Sequence, residues 1–212
     1  ITCRDWSSDV CSSDLDTPWK LWNQLHRWLV YPQVRLLIAL NGIAWGRNWS
    51  FYGLPIIQKH RQSVMKFGEG FSLRSSACSN PLGPNHPVIL STLRADSLLE
   101  IGRNFGMTGG SICVAERVAI GDNVAVGANC VITDTDFHPL HPRARLLEPQ
   151  NGKSAPVVIE DNVFIGMNSI ILKGVTIGAN SVIGAGSVVS RNIPSNSIAA
   201  GNPAVVLRKF TE

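Results

Sequence analysis

From Ile89 to Val189 the chain repeats a six-residue phrase headed by an aliphatic or similarly apolar residue, and this periodicity limits the possible folds more than any other feature. Ile89, Ala95, Ile101 and Met107 read as the first heads; Val114, Ile120, Val126 and Ile132 continue after one extra residue near Gly109 and Gly110. Ile159, Ile165, Ile171, Ile177, Ile183 and Val189 resume the count after a break. An amphipathic helix needs a period of about 3.6 and a half-buried strand a period of 2, so neither sustains this pattern. A coil with short flat sides does, because each head points inward and stacks on its equivalent one turn away. Within the phrases, glycine (Gly102, Gly121, Gly127, Gly166, Gly178, Gly184) and asparagine (Asn104, Asn123, Asn129, Asn162, Asn168, Asn180) recur at positions suited to corners. The reading is a mainly β chain folded as a parallel β-helix. Cys130, in a small-residue place of its phrase, reads as a core filler.

A length of 212 residues suits one main domain with a small appendage. The net charge of +4 is mild, and its scatter suits an anionic small ligand without demanding nucleic acid. Five cysteines, Cys3, Cys11, Cys78, Cys113 and Cys130, form neither a CxxC pair nor a framework, so a reducing, cytoplasmic setting is expected. No secretory-signal pattern is present near the start. The most apolar stretch, Val34 to Trp45, is interrupted by Arg35, Asn41 and Gly42 and falls short of the roughly 20 apolar residues of a membrane span. Residues 1–16 are polar and serine-rich, resemble translated sequencing-adapter readthrough, and are expected to be a non-native or disordered tail.

Residues 17–49 form a second zone. Thr17 and Pro18 read as an N-cap and first helical residue, and Leu21, Trp22, Leu25, Trp28 and Leu29 then share one face up to Pro32. All six tryptophans lie within the first 49 residues. Two readings are open for this stripe: it caps the core or a neighbouring subunit, or, with Lys20, His26, Arg27 and Arg35 beside it, it lies on the inner face of a membrane. Residues 50–212 form the repeat domain, with a short C-terminal helix expected at its end.

The break itself reads "DTDFHPLHPRAR". Ile159 follows Ile132 by 27 positions instead of six, so a loop over 138–158 is pushed out of the coil, and such excursions usually carry function. His138 sits at its base, on a rigid wall yet facing solvent or a neighbour; the histidine reads as a loop-stabilising hydrogen bonder or as a catalyst. Asp134 and Asp136 read as turn formers, or as groups that orient the imidazole or bind acceptor hydroxyls, and His141 as a rim residue or acceptor contact.

In "DTDFHPL", "APVVIEDNVFIGMNSIILKGVTIGANSVIGAGSVV" and "AAGNPAVVLRK" the chain resembles the left-handed β-helix hexapeptide-repeat acyltransferases, within them the sugar O-acetyltransferases. The resemblance covers residues 50–210. It implies transfer of an acetyl group from acetyl-CoA to a carbohydrate hydroxyl, with no metal, in a homotrimer whose active sites lie between subunits. It implies that His138 is the general base; an imidazole, with a pKa near about 6.5, can take the alcohol proton as the bond forms. The family's acceptor-contacting asparagine falls here at Thr108, beside Asp136 and His141 as acceptor residues. Coenzyme A would run along Gly166 and Met167 at the thioester, Ala185 on the pantetheine arm, and Ser190, Arg191 and Arg208 toward the phosphates, where arginine pairs two oxygens at once. Met167 has no hydroxyl, so the oxyanion would depend on main-chain donors. "GNPA", Gly201 to Ala204, would turn the terminal segment back across the groove.

Three rivals differ in acceptor or chemistry. A streptogramin-type antibiotic acetyltransferase shares fold and donor. A zinc carbonic anhydrase of the same coil needs three converging histidines, and "HPLH" has the wrong spacing. A repeat protein that only binds partners would not bind acetyl-CoA.

Overall fold

The computed structural model describes residues 18–210, and within them the chain is a three-sided parallel β-helix with a long helix at its N-terminal end. The tail expected over residues 1–16 and the cap expected at Thr17 lie outside the described residues. The first face stacks Ser50–Tyr52, Ser72–Arg74, Gly106–Thr108, Ala125–Val126, Phe164–Ile165, Val182–Ile183, Ser197–Gly201 and Ala204–Lys209. The second stacks Ile56–Lys59, Ile89–Thr92, Ser111–Val114, Val131–Thr133, Ile170–Ile171 and Val188–Val189. The third stacks Val64–Phe67, Leu98–Ile101, Arg117–Ile120, Val157–Ile159 and Thr176–Ile177.

Register explains the six-residue phrase. On the first face Leu73, Met107, Val126, Ile165, Ile183 and Ala199 are successive partners, and on the third Ile101, Ile120, Ile159 and Ile177 are. Strands lie about 4.8 Å apart, so each side chain rests directly on the next and every row is buried. The period holds from Ile101 onward. Its first two expected heads do not point inward: Leu90 is buried in place of Ile89, and Ala95 sits in a corner. The strand Ile89–Thr92 follows an excursion, residues 75–88, that shifts the count before the regular repeat begins.

Corners carry the asparagines. Asn104, Asn123, Asn162, Asn180 and Asn196 adopt φ of 55, 57, 58, 59 and 57°, a left-handed conformation that asparagine tolerates better than most residues. Their amides form a ladder along one edge, each side-chain N–H donating to the next side-chain oxygen at 2.8–3.0 Å. The extra residue near Gly109 and Gly110 is a corner in which both have positive φ; a Cβ on Gly110 would collide with the Cys130 carbonyl. Cys130 is fully buried, donates to the Gly166 carbonyl at 3.1 Å, and has its thiol pushed up to about 11 by burial.

Helix α1 spans Pro18–Leu40 and continues through Pro32, where the chain was expected to stop. Its packed face explains this: Asn23, Val30, Val34 and Ile38 are buried and recur every four or seven residues, tying both halves to the same core. Each full aliphatic burial stabilises by about 1.5–3 kcal/mol, against about 3 kcal/mol for a helical proline. The stripe Leu21, Trp22, Leu25, Trp28 and Leu29 is exposed, so of the partners expected for it, this protomer's core, a neighbouring subunit or a membrane, the core is not the one it meets. Under α1 the open end of the coil is filled by rings: Trp49 packs tilted on Phe71 with centroids 5.4 Å apart, and Phe71 stacks on Phe105 at 5.6 Å.

At the far end no C-terminal helix forms among the described residues. Gly201, with φ of 107°, and the cis Asn202–Pro203 bond make a tight turn, and Ala204–Lys209 returns antiparallel to Ser197–Gly201. Val205 and Val206 favour this extended pairing, and it satisfies the last row's free backbone groups.

Candidate active site

Two segments leave the coil, at different edges. Residues 75–88 emerge between the first and second faces, and residues 134–156 between the second and third. The second excursion begins four residues before the expected 138 and contains a short helix, α2, Pro142–Leu147.

Asp134 fixes the start of the second excursion. Fully buried, it accepts the Ala115 N–H on one oxygen at 2.7 Å and those of Glu116 and Arg117 on the other at 2.7 and 2.8 Å. Burial raises its pKa and these three donors oppose the rise. The carboxylate is thereby a corner bracket, with its oxygens engaged away from the imidazole. Asp136 instead pairs with Lys173, 2.7 Å apart and mostly shielded, while its second oxygen is buried without a partner.

Between Asp136 and His138 the backbone is sharply bent. The His138 N–H donates to the Asp136 carbonyl at 2.7 Å around Phe137, whose φ is 62°. This is a γ-turn with positive central φ, a rare and strained form that persists only where its surroundings hold it. Gly152 is part of that hold: a Cβ there would lie 2.5 Å from the Phe137 carbonyl carbon and 2.7 Å from the His138 nitrogen. Arg94 clamps the returning strand, donating to the Gly152 carbonyl at 3.1 Å and the Ser154 hydroxyl at 3.3 Å.

The His138 ring is exposed, and its Nδ1 lies 2.6 Å from the Pro149 carbonyl. A carbonyl only accepts, so Nδ1 carries the proton and Nε2 presents a lone pair. The imidazole is thus oriented by a backbone carbonyl, not by Asp134 or Asp136. His141 is exposed at the N-cap of α2 and makes no side-chain capping bond.

The other expected residues divide between edges. Thr108 ends a first-face strand, Met167 and Ala185 follow two others, and all three lie toward the edge between the first and second faces, with hydrogen bonds from Asn129 N–H to Thr108 O and from Gly186 N–H to Met167 O. Thr108 is buried, and Asn80 from the first excursion donates its amide to the Thr108 hydroxyl at 3.3 Å. Gly166 spends its N–H on the Ile183 carbonyl; the Met167 and Ala185 amides donate to no other backbone group among the described residues. Ser190 and Arg191 are exposed on the edge that carries His138, and Arg208 is exposed on the returning strand of the first face. One protomer therefore does not bring the ten residues together: His138, Ser190 and Arg191 share one edge, Thr108, Met167 and Ala185 another. Asn80, Arg94, Gly152 and Lys173 escaped sequence reading because each acts through a contact distant in the chain. Among the described residues no three His, Cys, Asp or Glu side chains are grouped to hold a metal ion.

A family model described as the hexapeptide repeat of succinyl-transferase matches residues 110–134 and 156–191, on either side of the second excursion. Galactoside O-acetyltransferase of Escherichia coli (strain K12) is 44% identical over 119 residues, 55% of this chain and 56% of that protein. The galactoside O-acetyltransferase of Lactococcus lactis subsp. lactis (strain IL1403) is 45% identical over 95 residues, 45% of this chain and 44% of that protein. The chain thus spans about half the length of these curated relatives. A solved galactoside acetyltransferase in complex with coenzyme A superposes with a TM-score of 0.56 at 27% identity, covering 96% of this chain and 86% of that one. With its repeat and its three-sided parallel coil, the chain carries the hexapeptide repeat on both sides of the second excursion and is similar to these acetyltransferases.

Proposed function

We propose that this protein is an O-acetyltransferase that moves the acetyl group of acetyl-CoA to a carbohydrate hydroxyl, with His138 as general base in a site shared between protomers of a homotrimer. The observation that carries the reading is the His138 hinge, where a bent backbone, Gly152 and the Pro149 carbonyl leave Nε2 free on an exposed ring.

In this reading Nε2 takes the acceptor's hydroxyl proton as its oxygen attacks the thioester carbonyl, and no acyl-enzyme forms. The amides of Met167 and Ala185, which meet no backbone acceptor among the described residues, suit the developing oxyanion, since donors fixed by a rigid wall need no reorganisation. As the C–S bond breaks, the imidazolium returns the proton to the coenzyme A sulfur. Small, exposed Ala185 leaves room for a pantetheine arm, and Ser190, Arg191 and Arg208 offer hydroxyl and guanidinium donors to its phosphates. Asn80 and Thr108 contribute an amide and a hydroxyl for the acceptor. The galactoside acetyltransferase relatives support a sugar acceptor, and the coenzyme A complex supports the donor.

Placement of these groups on two edges supports a groove between protomers, in which one edge of each faces the other edge of its neighbour. His138→Ala is expected to keep assembly and coenzyme A binding while thiol release falls by about 10²–10⁴-fold. Ala185→Trp should block donor entry. Co-expressing the two variants tests the sharing: recovered activity supports a composite site, whereas a mixture as inactive as its parents places each site within one protomer. Full activity in His138→Ala removes the mechanism.

A further inference from the structure

We infer that the outer face of α1 docks the protein on an anionic membrane surface, lying in the plane of the lipid headgroups. This stands apart from the transfer reading and needs none of its residues.

The helix is apolar on two opposite sides. At about 100° per residue, its packed side holds Val30, Val34 and Ile38, and its outer side an arc of about 120° with no polar residue. Leu21, Trp22, Leu25, Trp28, Leu29 and Leu36 on that arc are between 53% and 73% exposed. Such a continuous apolar strip on a protein surface marks an interaction site. Gln24 and Arg35 border it on one side, Gln33 and His26 on the other.

Charge selects the occupant. Residues 18–75, which make the helix and the first turn of coil beneath it, contain eight lysines and arginines and a single acid, Glu69. Residues 76–210 are nearly balanced, with ten basic and nine acidic residues. The net positive charge of the described chain is therefore concentrated at the end that carries the apolar strip. A second copy seated there would bring two ends of net positive charge together, whereas anionic lipid satisfies both the charge and the strip. Tryptophans on the strip suit the headgroup level, where an amphipathic ring is at home. No described helix is long and apolar enough to cross a membrane, so the strip fits a helix that lies on the surface.

The test is flotation of the full chain with vesicles of phosphatidylcholine alone or with about one third phosphatidylglycerol. Binding to the anionic vesicles, weakened by salt and accompanied by a blue shift of tryptophan emission, is expected. Leu25→Glu with Leu29→Glu, both exposed, should lower the partition coefficient by about ten-fold or more while circular dichroism and thiol release with a soluble acceptor stay unchanged. A chain that never floats overturns the inference. So does a double variant whose mass by light scattering drops while its lipid binding persists, because the strip is then covered by another copy.

Discussion

The two excursions from the coil are secured by different means. Residues 75–88 are tied mainly by neutral contacts: the Ser75 hydroxyl accepts the Val88 N–H at 3.1 Å, Asn129 accepts the Asn85 N–H at 2.8 Å, and Asn23 of α1 donates to the Cys78 carbonyl at 3.1 Å, with one charged donor, Arg74, on the Ser79 carbonyl at 2.7 Å. Residues 134–156 hang on charge, with buried Asp134 at the root, Asp136 against Lys173, and Arg94 across the return. A neutral contact is worth about 1 kcal/mol and lets a loop resettle; a buried charge with three donors penalises any other arrangement far more. Rigidity is thus concentrated where a strained turn presents an imidazole.

Four substitutions sharpen this contrast, in falling order of effect. Asp134→Ala leaves three backbone N–H groups without their acceptor and is expected to lower unfolding free energy by about 3–5 kcal/mol, read from denaturant midpoints. An unchanged midpoint would mean that the bracket is dispensable. Gly152→Ala pushes against the Phe137–His138 backbone, so thiol release should fall by about a hundred-fold, or about 2.7 kcal/mol of barrier, with thermal unfolding shifted only slightly. Asn162→Ala puts an unfavourable residue at φ 58° and cuts the amide ladder; a loss of about 1–2 kcal/mol is expected, part of which Asn162→Gly restores by relieving the dihedral. Smallest is Asn80→Ala in the neutral excursion. It should cost under about 1 kcal/mol of stability and raise the acceptor KM several-fold with kcat little changed. A collapse in kcat instead would place Asn80 beside the reacting atoms.

Periodic features were legible in the sequence and contact-dependent ones were not. Ile101 to Val189 announced the stacked rows because one physical requirement, an inward apolar residue per side, recurs often enough to stand out. The asparagine corners were legible for the same reason. The phrases at Ile89 and Ala95 misled because they follow the excursion over 75–88, which has no repeat before it against which to count. Leu21 to Leu29 was legible only as a face: an apolar stripe avoids water without saying what meets it, and Val30, Val34 and Ile38 claimed the core, which removes the core-cap reading alone. At the C-terminus, Val205 and Val206 found a strand edge to pair with, and the expected helix gave way to a hairpin. His138 could be singled out, yet its orientation by Pro149 and its bracing by Gly152 and Arg94 depend on a loop's return path that no local pattern encodes.

The spacing of the two departures along the axis carries a further consequence. The first rejoins the coil at the row Ile89–Thr92 and the second leaves from the row Val131–Thr133, two rows on, a rise of about 10 Å. The pitch of the spool therefore serves as a ruler. Relatives that gain or lose a whole winding between these rows would shift the heights of their Asn80 and His138 counterparts by one notch of about 5 Å, altering the size of guest they can straddle while every wall residue keeps its place.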